Sequence, residues 1–174
     1  MDREILDFVV RNRPDWMVEA AKFLHHAGDD MVLVPLTLAL LVVGMVAGRR
    51  TAATVAPAVS MVLTVVVVGL AKSIFGRGRP PAAGRLVEVT SASMPSGHAA
   101  YAAALAGVVW VVLSGHLRRA ALRMLAVAVA ACAALARLVL GVHWPSDVVA
   151  GAAVGAVVGT WVARVAVQRL QSQG

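Results

Sequence analysis

Long charge-free runs recur along this chain. Residues 31–48, 51–71, 98–115, 120–136 and 148–167 are apolar or small almost throughout, and the last two are broken only by Arg123 and Arg164 near their ends. At ~1.5 Å of rise per residue, a helix of that length crosses a hydrocarbon core of ~30 Å. Arg123 and Arg164 lie where their stems can snorkel toward an interface. The pattern predicts an all-α integral membrane bundle of about five transmembrane helices.

The first thirty residues read differently. From Ile5 to Leu24, apolar positions alternate with Arg11, Arg13, Asp15, Glu19 and Lys22, the pattern of an amphipathic helix lying along the membrane interface. A soluble amphipathic helix covering the end of the bundle is the alternative. Pro14 breaks or kinks the segment in either case. Neither version is expected to touch the chemistry. The stretch lacks the continuous apolar core of a cleavable signal, so the first true span is expected to handle targeting. The organisation is then an interfacial segment over 1–30, a transmembrane domain over 31–167 with a loop at 72–97, and a polar tail without fold over 168–174.

Composition agrees with the pattern: 60% of the residues are hydrophobic, 14% charged and 5% aromatic, which excludes an ordinary soluble domain. The net charge of +7 would suggest nucleic acid in a soluble protein. Here, however, seven of the nine acidic residues precede Met31 and most arginines flank apolar runs, so topology explains the charge and no nucleic-acid partner is expected. Arg49, Arg50, Arg118, Arg119, Arg123, Arg164 and Arg169 share one side, predicted to be cytoplasmic. The single Cys132 permits no intrachain disulfide and is expected to pack between helices. Gly151, Gly155 and Gly159 fall four apart and make a smooth face for close helix approach, within the chain or in a homo-oligomer.

Three motifs fall on the side opposite those arginines. Lys72 and Arg79, seven residues apart around Gly76 and Gly78 and followed by Pro80, can wrap a phosphoryl group or, alternatively, lipid headgroups. Ser96 and Gly97 open the third apolar run, where a helix start would bind an anion, and His98 in its first turn can donate a proton. Arg137 ends the fourth run and can add a second fork. His143 then precedes Asp147 by four residues, a spacing that lets a carboxylate take the Nδ1–H and leave Nε2 free as a nucleophile. Each motif alone has an ordinary reading as an interfacial loop or cap. The topology brings all three to one membrane face, and a positive cluster with two histidines and one carboxylate suits phosphate chemistry. Outside the N-terminal segment that face offers only Glu88 and Asp147 as carboxylates, too few for magnesium or calcium, so no metal or other cofactor is expected.

Lys-x6-Arg-Pro, then Pro-Ser-Gly-His, then Arg-x5-His-x3-Asp resembles the three-part signature of the type 2 phosphatidic acid phosphatase superfamily, and the likeness runs from Lys72 to Gly155. The segment from Gly141 to Gly151 resembles small bacterial members. Ala136 stands where the family often has Ser, at the expense of at most a secondary phosphate contact. The resemblance implies that Lys72, Arg79 and Arg137 hold phosphate oxygens, with Pro80 in the first motif and Ser96 and Gly97 completing the cradle. It also implies that His143 attacks phosphorus, Asp147 orients His143 and His98 protonates the leaving oxygen. The implied substrates are lipid phosphates within the bilayer: polyprenyl (pyro)phosphate first, with phosphatidylglycerol phosphate, phosphatidic acid and prenyl-phosphoryl sugars as alternatives. The implied setting is the inner membrane of a bacterium, with the site on the extracytoplasmic side. A vanadium haloperoxidase shares the anion cradle, but five spans argue against it. A noncatalytic lipid-binding or translocating protein would have been favoured by an altered His98 or His143, and both are present.

Overall fold

The computed structural model describes residues 1–49, 51–114 and 119–172; Arg50, Gly115, Arg118 and residues 173–174, on which parts of the span, orientation and tail expectations fall, lie outside them. Among the described residues the fold is all-helical, as expected: α1 (Asp2–Arg11), α2 (Asp15–Ala27), α3 (Asp30–Val46), α4 (Ala52–Phe75), α5 (Gly97–Val112), α6 (Ala120–Val139) and α7 (Pro145–Gln171), with a short 3-10 turn at Ala82–Gly84. Pro14 separates α1 from α2, since its ring bars a continuous helix. Asp29 starts α3 by accepting the Met31 N–H at 3.0 Å. Residues 168–171, expected to be tail, continue α7.

By length and apolar composition α4, α6 and α7 can each cross a membrane, and α2 with α3 qualify together as one path bent by 52°. At 16 residues α5 is shorter, about 24 Å long at ~1.5 Å per residue. It can be short because it begins inside the protein: Ser93, Ser96 and Gly97 at its start are all buried. Helix α5 is the hub and packs against α4, α6 and α7.

The tightest seam joins α5 to α7. A Cβ added at Gly151, Gly155 or Gly159 would collide with the carbonyl oxygens of Ser96, Ala100 and Ala104, respectively. Ala99, Ala100 and Ala104 across the seam are fully buried. Backbones this close gain dispersion contacts, which helices in lipid must rely on because lipid tails are as apolar as the side chains. The glycine stripe is therefore used within the chain. Cys132, expected to pack between helices, is instead exposed on α6, as are Leu125, Val129 and Leu135, which suit a lipid-facing surface.

Helices α1 and α2 cap the end of the bundle that holds the loop. Leu6 is buried against Ala99, Leu138 and Val148, and Ala21 against Ala136, Val139, Leu140 and Val142. Arg13 donates to the carbonyls of Gly84 (3.1 Å) and Val139 (2.7 Å). Phe8, Trp16 and Phe23 face outward.

Candidate active site

The three motifs meet as expected. A cavity of about 340 Å³ is lined by Lys72, Arg79, Gly97, His98, Arg137 and His143. It is also lined by His25, Asp29, Asp30, Glu88 and Tyr101, which sequence reasoning did not place there. An apolar groove of about 370 Å³ between α5, α6 and α7 holds no titratable side chain.

Lys72 sits in the last turn of α4 rather than in the loop, and α4 stops at Gly76, whose φ of 53° is the left-handed value glycine adopts freely. The chain then doubles back so that Lys72 and Arg79 reach the same wall. Lys72 Nζ donates to Ser91 Oγ at 2.9 Å, and Arg79 Nε donates to the Ser91 carbonyl at 2.7 Å. Arg79 Nη1 donates to the Val142 carbonyl at 2.8 Å and lies 3.2 Å from His143 Nε2. Burial pushes Arg79 down to about 10, with Arg85 adding to the fall, which still leaves it charged at neutral pH.

That Arg79 contact fixes the state of His143. A guanidinium only donates, so His143 Nε2 must present its lone pair and the ring proton must sit on Nδ1. Burial pushes His143 down to about 4, Asp147 opposing and Arg79 and Lys72 adding to the fall, so the ring is neutral at pH 7. Its Nδ1 is 3.6 Å from Asp147 Oδ2 and 3.4 Å from Ser93 Oγ. Ser93 in turn donates to Asp147 Oδ2 at 2.5 Å. The histidine–carboxylate pair expected from sequence is thus present, slightly open, with a buried serine hydroxyl between the partners. Asp147 is fully buried and also accepts from the Trp144 N–H (2.9 Å) and from Arg77 Nη1 (2.7 Å).

Arg137 shows most clearly what the cavity is built for. The residue is 1% exposed, Nη1 meets His25 Nδ1 at 3.0 Å, and Nε and Nη2 have no partner among the described residues. A buried guanidinium with two free donors is costly unless an anion completes it. His98 Nε2 lies 2.9 Å from the His25 carbonyl and 3.2 Å from His25 Nδ1.

Two expected cradle residues lie off the cavity wall. Ser96 occupies the N-cap position of α5, but its hydroxyl is buried without a partner while its N–H donates to the Asp147 carbonyl at 3.0 Å. The Ser96 backbone thereby ties α5 to α7, while its hydroxyl, like Nε and Nη2 of Arg137, has no partner among the described residues. Pro80 is buried and its carbonyl accepts two bonds from Arg85.

The N-terminal segment, expected to stay clear of the chemistry, reaches it twice. Asp2 accepts from Arg77 Nη2 at 2.8 Å, from the Ser146 N–H at 3.1 Å and from the Ser146 hydroxyl. These bonds hold the Asp2 carboxyl below its usual range, the Ser146 hydroxyl contributing most, and Asp2 in turn raises Arg77. His25 makes the second contact, on His98 and Arg137. Arg77 lay in plain sight between Lys72 and Arg79; Ser93 carried no local signal.

The profile of the PAP2 superfamily matches residues 53–171. Two solved structures are similar in fold: the first transmembrane PAP2-type phosphatidylglycerolphosphate phosphatase from Bacillus subtilis, with a TM-score of 0.77 and 24% identity over 99% of this chain and 85% of that one, and LpxE from Aquifex aeolicus, with 0.74 and 23% over 92% and 93%. No curated protein matches the sequence.

Proposed function

Since this chain belongs to the PAP2 superfamily, we propose that it is a multi-pass membrane phosphatase that hydrolyses a lipid phosphate or pyrophosphate through a phosphohistidine on His143. The supporting observation is the facing pair in the cavity: His143 Nε2 held as a free base by Arg79, and Arg137 with two buried donors awaiting an anion.

Phosphate oxygens complete Arg137 and take further bonds from Lys72 and from Arg79, which turns from Nε2 to the phosphate and so frees the Nε2 lone pair beside phosphorus. Nε2 attacks, the bond from phosphorus to the lipid oxygen breaks, and His98, entering the step as the imidazolium, gives that oxygen a proton and is left neutral. The ring of His143 becomes positive as the new bond forms, and Asp147, with Ser93, stabilises that charge through Nδ1–H. Water, deprotonated by His98, then attacks phosphorus; the phosphorus–nitrogen bond breaks and inorganic phosphate leaves. Three cations at the cavity stabilise the charge that develops in both steps, so turnover should persist in EDTA. The arginines at the opposite end of the bundle, Arg49, Arg119 and Arg169, support an extracytoplasmic site in a bacterial inner membrane.

A polyprenyl (pyro)phosphate is the substrate that the sequence favours. Phosphatidylglycerol phosphate is favoured by an observation: Asp29, Asp30 and Glu88 line the same cavity as the cations. Carboxylates can accept from glycerol hydroxyls, whereas a second phosphate would meet like charge. The test is phosphate release in EDTA from C55 prenyl pyrophosphate, phosphatidylglycerol phosphate and phosphatidic acid. The reading expects turnover of at least one lipid, lowered by His143→Ala by at least about 10⁴-fold, the scale of losing a triad nucleophile. No release from any of them would overturn it.

A further inference from the structure

Trp110 belongs to two cavities at once. It lines the apolar groove of about 370 Å³ between α5, α6 and α7, at the end farther from the catalytic cavity, and it lines a second cavity of about 320 Å³ with Ser114, Arg164 and Gln168. The groove exists because α5 packs on both α6 and α7 while those two scarcely touch each other, and because alanines and Gly107 line it. Along α5 it runs from Ala103 to Trp110, about 10 Å at ~1.5 Å per residue. Polarity then changes within one turn on all three elements. Residues four apart share a helix face, so Ser114 lies beyond Trp110, Arg123 beyond Val127 and Arg164 beyond Thr160. Arg123 is half-buried over the Trp110 ring at 5.2 Å, and its Nε is buried without a partner among the described residues. Stacking occupies the face of a guanidinium and leaves its N–H edge to an acceptor.

We propose that the groove and the arginines at its end hold one anionic phospholipid from the leaflet opposite the catalytic cavity, its acyl chain in the groove and its phosphate on Arg123 and Arg164. The length fits a lipid chain. A groove of ~10 Å lies within one leaflet's half of a ~30 Å hydrocarbon core, whereas a helix of a second copy needs a face as long as the whole core and would bring its own arginines to the same end. The charge fits as well. Guanidinium forks match phosphate oxygens, and two of them repel the ammonium of a zwitterionic headgroup, so the site favours phosphatidylglycerol over phosphatidylcholine. Basic pockets between spanning helices take anionic headgroups for the same reason. On α5, His98 and Tyr101 line the catalytic cavity, while Ala103, Ala106 and Trp110 line the groove. The bound phospholipid and the substrate therefore occupy separate faces of one helix.

Trp110 is its own reporter, and it sits at the far end of the bundle from any lipid in the catalytic cavity. In vesicles, phosphatidylglycerol brominated near the glycerol end of its chains, as a minor component of unbrominated phosphatidylcholine, should quench Trp110 emission several-fold more than its mole fraction predicts. That emission is read as wild type minus Trp110→Phe. Brominated phosphatidylcholine in unbrominated phosphatidylglycerol should show no such excess. Arg123→Gln combined with Arg164→Gln should remove it, association weakening on the order of five-fold for each arginine. Ala131→Leu fills the groove from the exposed side of α6 and keeps both arginines. It should lower the excess too, and it decides the matter if the arginine pair does not fold. Quenching in proportion to mole fraction for both lipids, or an excess that survives either set of substitutions in folded protein, would overturn the proposal. So would Trp110 emission that follows the protein-to-lipid ratio rather than the identity of the lipid, the result expected of a second copy in the groove.

Discussion

The α5–α7 seam and the cavity above it are built by opposite rules. In the seam, Gly155 and Gly159 lie against the backbone at Ala100 and Ala104, and the packing is carried by small apolar groups. In the cavity, Arg137 is almost wholly buried with two donors unsatisfied, and His143 and Asp147 are buried beside a cluster of cations. One region gives stability and the other gives some up. The difference teaches that a close-packed scaffold lets a membrane protein hold charges in an arrangement that only an anion completes.

Separating rate from stability sharpens the contrast. Arg137→Met keeps similar volume and removes the unpaired guanidinium, so melting temperature in detergent should hold or rise, while turnover should fall on the order of 10²-fold, or ~3 kcal/mol. A matching drop in melting temperature would show that Arg137 is structural. The seam should behave in reverse. Gly155→Val forces α5 from α7 and should cost about 1–3 kcal/mol of stability, read as a lower melting temperature, with activity lost only as the protein unfolds. The smallest effect belongs to the outer clamp. Asp2→Asn keeps the size of the side chain but weakens the hold on Arg77 and, through it, on Asp147 Oδ1; a loss of ~1 kcal/mol would appear as about five-fold in turnover. Initial rates on a lipid substrate at fixed salt measure it.

Much of this organisation was legible in the sequence because it is local or periodic. Charge-free runs marked the helices, Pro14 marked the break between α1 and α2, and the Lys72–Arg79, Ser96–His98 and Arg137–Asp147 motifs marked cavity residues by their spacing. The α5–α7 seam was visible as glycines four apart. The misses are contacts across the fold. Asp2 meets Ser146, and His25 meets His98 and Arg137, through bonds that depend on how α1 and α2 dock; no spacing rule reaches that far. Ser93 is one serine among several in a loop, and only the fold puts it between His143 and Asp147. The bond from the Ser96 N–H to the Asp147 carbonyl is a further contact of this kind, since it depends on where α7 docks against the start of α5.

The central claim is that phosphate passes through His143, and trapping it there is the most direct measurement. Protein incubated with ³²P-labelled phosphatidic acid, quenched in alkali and resolved by electrophoresis, should carry a label that survives base, is released by mild acid and is absent from His143→Ala. Undiminished turnover in His143→Ala, or a label that persists in that variant, would contradict the account.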